Sequence, residues 1–183
     1  MITDKDRAGW IGASDTNFVI GNRHTKTFLK WWLAKLGLSE INFSNKYTVA
    51  GSIYEHSILD NLNIKNLEKD KQILIPELYL RVNLDGNTLD TIYEVKTYKA
   101  ENDYKISKNY YQQVQVQMFA TGIRQGYIVA YPLEEKYYNN YFLDIDRNKI
   151  KLFPIEYNEC FIAEYLIKLK ELAECLSKGV FPK

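Results

Sequence analysis

Two segments of alternating hydrophobicity in the middle of the chain constrain its fold more than any other feature. The first is QILIPELYLRVNLDG at residues 72–86 and the second is DTIYEVKTY at residues 90–98. Apolar side chains recur at nearly every second position in both, as they do in strands with one buried face. Gly86 and Asn87 lie between them and mark a turn. The pattern predicts two antiparallel strands joined as a hairpin.

Segments with helical periodicity flank this hairpin on both sides. Ser14, Ser107 and Asn158 stand at predicted helix starts, and Gly122 closes one of the helices. The predicted helices cover residues 14–20, 25–36, 48–62, 107–122 and 158–177.

Two further strand regions follow the fourth helix. GYIVAYP at residues 126–132 predicts a short apolar strand, and YYNNYFLDI with KIKLFPI predicts another hairpin that turns at residues 146–148. The order of helices, hairpin, helix, strands and helix predicts an α/β fold with a mixed central β-sheet flanked by α-helices.

Length and composition are typical of one folded domain. The chain has 183 residues, of which 46% are hydrophobic and 26% are charged, so we expect a single domain over residues 1–183. No apolar run approaches the roughly 18 residues of a membrane span, and the chain begins with acidic residues rather than a secretory signal. Two cysteines, Cys160 and Cys175, are too few for a four-cysteine metal site. We expect an intracellular protein without a membrane segment.

The net charge of +1 argues against a protein that coats DNA nonspecifically. A polyanionic partner would have to meet a local basic patch beside an acidic cluster.

The segment from Asp85 to Lys96 contains residues suited to such a site. Glu94 and Lys96 are two residues apart on one predicted strand, so both project from the same face, and Asp85 ends the neighbouring strand. Two carboxylates on adjacent strands can bind Mg²⁺, which takes oxygen ligands, and a nearby lysine can orient an attacking water. The pattern predicts metal-dependent phosphodiester hydrolysis. The alternative is an exposed ladder of charges across the sheet.

The acid-x-lysine spacing is not specific by itself. It also occurs at residues 103–105 and 134–136, in polar surroundings. Only the copy at residues 94–96 lies in a strand that follows a second strand ending in an acid.

Three other groups of polar residues favour the hydrolytic interpretation. Glu55 lies on the third helix beside Ser52 and His56, several glutamines share the fourth helix, and basic residues gather around two helix starts, where phosphate binds readily. Solvated surfaces are the alternative for each group. The glutamines are Gln112, Gln113, Gln115 and Gln117, and the N-terminal group is Arg7, Ser14, Arg23, His24, Lys26 and Lys30.

Four short motifs occur in a telling order. They are RAGWIGASD at residues 7–15, GSIYEHSILD at 51–60, LDG and YEVK within 84–96, and YYQQVQVQMFATG at 110–122. Together they resemble the phage lambda exonuclease and viral recombinase (YqaJ-like) family of the PD-(D/E)XK nuclease superfamily. The resemblance runs from about residue 7 to residue 131, and it implies a restriction-endonuclease-like core.

The resemblance also implies a metal site. Glu55, Asp85 and Glu94 correspond to the family's carboxylate ligands, and the Val95 carbonyl to a further ligand. Two Mg²⁺ ions are implied, with Mn²⁺ expected to substitute. Lys96 corresponds to the catalytic lysine that positions the attacking water.

The remaining implied site residues would contact water or phosphate. Gln113 corresponds to the glutamine of the family's QxQ helix, with Gln115 as the alternative. Arg7 and Ser14 correspond to positions that bind the 5′-terminal phosphate in the exonucleases. The stretch Asn83-Leu84-Asp85-Gly86 replaces the Ser-Pro-Asp-Gly of many relatives but keeps the aspartate and the glycine.

By resemblance, the protein is a 5′-to-3′ exonuclease acting on phosphorylated ends of double-stranded DNA in the cytoplasm of a bacterial or phage-infected cell. The 3′ tails it leaves would feed a single-strand annealing protein. The resemblance also implies the family's trimer. This chain is compact for the group, and insertions often build oligomer contacts, so the oligomeric state stays open. The alternatives are an endonuclease of the same superfamily, a catalytically silent DNA-end-binding or inhibitory module, and a plain interaction protein.

Histidines and tyrosines add little at this level. His24 and His56 lack metal-ligand spacing, and we expect the first to face DNA and the second to lie on the surface. Several tyrosines could stack on unpaired bases or fill the core, and the sequence does not separate the two uses. They are Tyr110, Tyr111, Tyr137, Tyr138 and Tyr141.

Overall fold

A computed structural model describes residues 8–39 and 45–183 of the chain. Its helices and strands alternate in the order predicted by the hydrophobic periodicity. They are β1 (Ile11–Gly12), α1 (Thr16–Ile20), α2 (Lys26–Lys35), α3 (Lys46–Asn61), β2 (Glu68–Ile75), β3 (Leu80–Asn87), β4 (Thr91–Lys99), α4 (Lys108–Thr121), β5 (Gln125–Leu133), β6 (Lys151–Glu156) and α5 (Glu159–Ser177).

The six strands form one mixed sheet. Its order is β1-β3-β4-β5-β6, and β2 pairs with β3 outside this path. The β4–β5 and β1–β3 pairs are parallel, whereas β2–β3, β3–β4 and β5–β6 are antiparallel. The predicted α/β fold with a mixed central sheet is therefore confirmed.

One edge of β3 is divided between two partners. Because β2 pairs with β3 from Leu80 to Leu84 and again at Gly86 and Asn87, β1 and β4 must share the opposite edge. β1 pairs there with Leu80 and Arg81, and β4 pairs with Gly86 and Asn87. Among the described residues, no strand pairs with that edge between these two short ladders, so an opening exists beside Asp85.

Two apolar clusters cover the two faces of the sheet. The larger one joins the sheet to α1, α2, α4 and α5, with Trp32, Val114 and Tyr165 fully buried in it. The smaller one joins the other face to α3 and the segment after β5 through Tyr54 and Tyr137. Helices therefore flank the sheet on both sides.

Side chains cap the helices at the positions where the chain enters them. Thr25, Asn45, Ser107 and Asn158 each accept a backbone N–H of the first turn, which satisfies a donor that the helix leaves unpaired. Ser14 is not a cap, contrary to the prediction, because residues 13–15 form a 3₁₀ turn that precedes α1.

The segment at residues 72–86 contains parts of two strands rather than one. Pro76 begins a 3₁₀ turn, and Tyr79 adopts a left-handed conformation, so the chain reverses and β2 pairs with β3. Gly86 lies within β3 and not in a turn. A Cβ atom there would lie 3.2 Å from Leu59 Cδ2, so the glycine permits α3 to approach the sheet closely.

The predicted hairpin between YYNNYFLDI and KIKLFPI is wrong. Residues 135–138 form a 3₁₀ turn, and the strand partner of β6 is β5. Burial of the tyrosines overrides the strand pattern. The Tyr137 hydroxyl donates to the Asp144 carbonyl, and the Tyr54 hydroxyl donates to the Asn140 carbonyl.

None of the helices in the described ranges is long and apolar enough to cross a membrane.

Candidate active site

The Glu94 carboxylate is the centre of a polar cluster between β4 and α4. Only 1% of its surface is exposed. Oε1 accepts from Lys96 Nζ and from Gln113 Nε2, each at 2.5 Å, and Oε2 accepts from Gln117 Nε2 at 2.5 Å. A buried carboxylate needs such donors, because without them it would lose the hydrogen bonds that water gives it. Glu94 and Lys96 share a face of β4, as predicted.

The glutamines of α4 divide between two sides of the helix. Gln113 and Gln117 are four residues apart, so one face presents both to Glu94. Gln117 Nε2 also donates to the Asn83 carbonyl at 3.1 Å, on the divided edge of β3. Gln115 points elsewhere: its amide group donates to the Glu156 carbonyl and accepts from Asn158 N, both at 2.7 Å. The alternative assignment of Gln115 to the site is therefore wrong.

Asp85 faces β4 just beyond the β3–β4 ladder. Its Oδ2 accepts from the Val95 amide at 2.7 Å. The strands separate after the Gly86–Tyr93 pair, and the Asp85 side chain satisfies the amide that a neighbouring strand would otherwise bind. Asp85 and Val95 are thus neighbours, as the site prediction requires, and the strand continues past Asp85 instead of ending at it.

Glu55 lies on α3 and reaches the same region from the other side of the sheet. Together with Asp85, Glu94, Lys96 and Gln113 it lines a cleft of about 810 Å³. The five predicted catalytic side chains therefore share one cleft.

Two carboxyl groups of the cleft, Glu55 and Asp85, have raised pKa values. Burial and the charge of Glu94 raise the pKa of Glu55 to about 7. Burial and the charges of Glu94 and Glu55 raise the pKa of Asp85 well above its usual range. Both shifts arise because negative charges are crowded into a poorly solvated space.

Lys96 is the cation of this cluster. Burial lowers its pKa, but the charges of Glu94 and Asp85 and the hydrogen bond from Lys96 to Glu94 outweigh burial, so the net shift is upward. Its Nζ also lies 4.9 Å from the centre of the Tyr110 ring. Lys96 is therefore protonated, and it can act as a donor or positive charge toward a ligand.

The same cleft continues to the N-terminal part of the chain. Ser14 is exposed and lines it, as do Asp15 and Lys35. Lys35 Nζ lies 2.6 Å from Asp15 Oδ2, and both side chains are largely buried. The predicted Arg7 lies outside the described residues.

A second polar group lies at the mouth of the cleft. His56 Nε2 is 2.9 Å from Asp70 Oδ2 on β2, and ligand atoms of Glu55, His56 and Asp70 lie within 4.8 Å of one another. His56 is exposed, as predicted, but it is not isolated. Sequence spacing could not reveal this group because Asp70 is on another element. His24 is exposed too.

Residues 4–124, about two thirds of the chain, match the YqaJ-like viral recombinase domain. The chain belongs to this family. No curated protein is matched by the sequence. The family match confirms the predicted resemblance to the lambda exonuclease and viral recombinase group.

Solved structures show the same fold as this YqaJ-like domain. The alkaline exonuclease LHK-Exo from Laribacter hongkongensis superimposes with a TM-score of 0.72 at 19% identity, covering 96% of this chain and 92% of that one. A structure of LHK-Exo in complex with dAMP gives 0.72, also at 19% identity, with 94% and 91% covered. A phage-related exonuclease from Haemophilus somnus 129PT gives 0.65 at 16% identity, with 92% and 95% covered. These structures share the predicted fold, a mixed central sheet flanked by helices.

The donor set of this YqaJ-like domain suits a hard divalent cation. Glu55, Asp85 and Glu94 supply carboxylate oxygens to one cleft, which are the ligands that Mg²⁺ takes. Their mutual repulsion raises two of the pKa values, and a bound cation would relieve that repulsion.

The YqaJ-like site includes a residue that sequence reasoning did not select. Gln117 contacts Glu94 as closely as Gln113 does. The signal was available in the sequence, since residues 113 and 117 are one helical turn apart, whereas residues 113 and 115 face different directions.

Proposed function

We propose that this protein is a Mg²⁺-dependent deoxyribonuclease that degrades one strand of double-stranded DNA from a phosphorylated 5′ end. It would leave 3′ single-stranded tails for phage-type recombination. Family membership and the shared fold of the alkaline exonucleases support nuclease chemistry.

The observation that carries the proposal is the polar cluster around Glu94. A purely structural carboxylate would need no cleft beside it, yet Glu94, Lys96 and Gln113 all line the 810 Å³ cleft. Two further acids, Glu55 and Asp85, face the same space. Buried, crowded carboxylates with raised pKa values are typical of functional sites.

Each residue has a distinct task in the proposed reaction. Glu55, Asp85, Glu94 and the Val95 carbonyl would hold up to two Mg²⁺ ions, which supply positive charge at the scissile phosphate and make water more acidic. Lys96, held by Glu94, would orient the attacking water and donate to the phosphate. Gln113 would fix the position of Lys96 and the water through Glu94 Oε1.

Specificity for a phosphorylated end would come from the other part of the cleft. Ser14 is exposed there and can donate a hydrogen bond to phosphate. We propose Ser14 and Arg7 as the residues that bind the terminal 5′-phosphate. The dAMP complex of LHK-Exo supports nucleotide binding by this fold.

Digestion of an end-labelled linear duplex tests the proposal. Substrates with a 5′-phosphate or a 5′-hydroxyl are incubated with Mg²⁺ or EDTA, using wild type and the Lys96→Ala variant. We expect loss of the phosphorylated strand with wild type and Mg²⁺ only. The matched control is Lys136→Ala. Lys136 Nζ lies 3.0 Å from Glu134 Oε2, so this pair has the same sequence spacing as Glu94 and Lys96, but it lies on the surface. This control should digest DNA like wild type.

Other results would favour the alternatives. Cuts in covalently closed circular DNA would identify an endonuclease. Absence of cleavage by a folded protein, together with calorimetry showing no Mg²⁺ or Mn²⁺ binding that depends on Glu94, would identify a DNA-end-binding module.

We further propose two assembly properties. A single-strand annealing protein would receive the 3′ tails, and the chain would form a homo-oligomer, which by family resemblance would be a trimer. Sedimentation with and without a duplex end measures the second property directly.

A further inference from the structure

A second groove, separate from the Ser14 part of the cleft, extends from the other side of Lys96. It has a volume of about 430 Å³ and lies between the start of α3, the end of β4 and the start of α4. Ser52, Glu55 and Lys96 line both spaces. A chain bound at Glu94 can therefore pass from one space to the other without leaving the protein surface.

The walls of this groove are aromatic and basic. Tyr47, Tyr98 and Tyr110 line it with Lys96 and Lys99. Tyr47 is 38% exposed, and Tyr98 and Tyr110 are half-buried. Tyrosines that only filled the core would be covered on all sides, as Tyr131 is at 0% exposure.

Close packing of α3 against β4 forms one wall of the groove, at Gly51 and Thr97. A Cβ atom at Gly51 would lie 3.0 Å from Thr97 Oγ1, so α3 approaches β4 closely because residue 51 lacks a side chain. In the same groove, Lys99 Nζ lies 4.8 Å from the centre of the Tyr47 ring. An exposed cation–π contact is weaker than a stacked base, so a nucleotide can displace the ammonium group from the ring, and its phosphate can then bind that group.

We propose that this aromatic groove binds unpaired nucleotides of the DNA strand next to the scissile phosphate, on the side away from Ser14. The inference rests on the proposed function for its direction along the strand. Stacking on a ring needs a free base face, which each unpaired nucleotide can offer, and lysines bind the connecting phosphates. In a duplex only the terminal base pair has a free face, so a duplex cannot supply bases to three rings. The occupant is therefore single-stranded DNA.

Equilibrium binding tests the groove apart from catalysis. The probes are a fluorescein-labelled oligothymidylate and the same backbone with abasic sites, both in EDTA. We expect Tyr47→Ala and Tyr98→Ala each to weaken oligothymidylate binding by at least about fivefold, with little effect on the abasic strand. Lys99→Gln should weaken binding of both strands. Tyr47→Phe, which keeps the ring, should bind like wild type.

The matched controls lie outside the groove. Tyr141 is 37% exposed, nearly the same as Tyr47, and Lys151 is an exposed lysine on β6. Tyr141→Ala and Lys151→Gln should bind both probes like wild type, and circular dichroism checks that every variant is folded.

Two outcomes would overturn the groove proposal: Tyr47→Ala, Tyr98→Ala and Lys99→Gln all binding like these controls, or wild type failing to bind oligothymidylate. Either can occur while wild type still digests duplex ends, in which case the proposed function survives. Binding through the groove without any digestion would reject the proposed function and leave the groove in place.

Discussion

At the scale of single residues, the glutamines of α4 have two different roles because they lie on different faces of the helix. Gln113 and Gln117 donate to Glu94, while Gln115 joins α4 to the start of α5 through Glu156 and Asn158. Gln115 is fully buried, and its amide group is satisfied at both ends. One side of the helix therefore serves the candidate site, and the other serves the fold.

This division predicts opposite effects for two neighbouring substitutions. Gln113→Ala should reduce the rate of strand digestion by about tenfold or more, because a positioned donor near the reacting groups is lost. Its loss of stability should be smaller than that of Gln115→Ala, because Lys96 still donates to Glu94 Oε1. Gln115→Ala should lower the free energy of unfolding by about 1–3 kcal/mol, because two hydrogen bonds of a fully buried side chain are lost, to the Glu156 carbonyl and from the Asn158 amide. Digestion rates and urea unfolding measure the two effects. Equal loss of stability in both variants would contradict the assignment.

Residue-level sequence reasoning succeeded where spacing within one element fixes direction. The two-residue period of a strand places Glu94 and Lys96 on one face, and the structure has them in contact. The reasoning failed for Asp70, whose contact with His56 joins β2 to α3. No local period encodes a contact between elements that are distant in sequence.

At the scale of elements, the position of α4 over the sheet determines whether its glutamines reach Glu94. Gly126 on β5 allows α4 to lie close to the sheet, because a Cβ atom at residue 126 would lie 2.8 Å from Val114 Cγ1. Both residues are buried, and the helix has no free space to accept a methyl group. α4 therefore packs against β5 at a residue that has no side chain.

Gly126→Ala should displace α4 and affect both stability and activity. We expect a loss of about 1–3 kcal/mol in the free energy of unfolding, as overpacking of a core costs, together with slower strand digestion. The double variant Gly126→Ala/Val114→Ala should lose less stability than the sum of the two single variants, because shortening Val114 leaves room for the new methyl group. If the two substitutions are instead additive in unfolding experiments, the steric explanation is wrong.

The order of elements was predictable, and the errors occurred where tertiary contacts override local pattern. The caps at Thr25 and Ser107 mark real helix starts. The strand predicted across residues 137–145 is absent from the structure because Tyr137 and Tyr138 pack against α3 instead of pairing in the sheet. Periodicity alone cannot tell a buried tyrosine in a turn from one on a strand.

At the scale of the whole molecule, the acidic site opposes folding of the metal-free protein at neutral pH. The pKa of Glu55 is about 7 in the folded chain, against an ordinary value of 4.5. Between these values the folded state holds a proton that the unfolded state has released, so unfolding becomes more favourable as pH rises. The site is thus maintained at the expense of stability, as functional sites often are.

The free energy of unfolding in EDTA should therefore decrease from about pH 4.5 to pH 7, and Glu55→Gln should flatten this part of the profile. Carboxyl groups with lowered pKa values, such as Glu68 and Glu134, titrate below this window and act in the opposite direction. Mg²⁺ should raise the melting temperature more at pH 7.5 than at pH 5, because the ion requires deprotonated ligands. A Mg²⁺ effect independent of pH, or unchanged by Glu55→Gln, would contradict this prediction.

The short β1 strand has a geometric consequence for the reaction. Its parallel pairing places Ile11 opposite Leu80 and Gly12 opposite Arg81, and two residues further along the chain Ser14 reaches the cleft that also contains Asp85. If Ser14 binds the 5′ end of the DNA strand, the β1–β3 pairing fixes the distance from that end to the cut, and so the number of nucleotides between them. Slipping the ladder by one residue would move Ser14 by about 3.3 Å along β3, a sizeable part of one nucleotide step. On the proposed function, the register of this two-residue strand would then set the size of the released product.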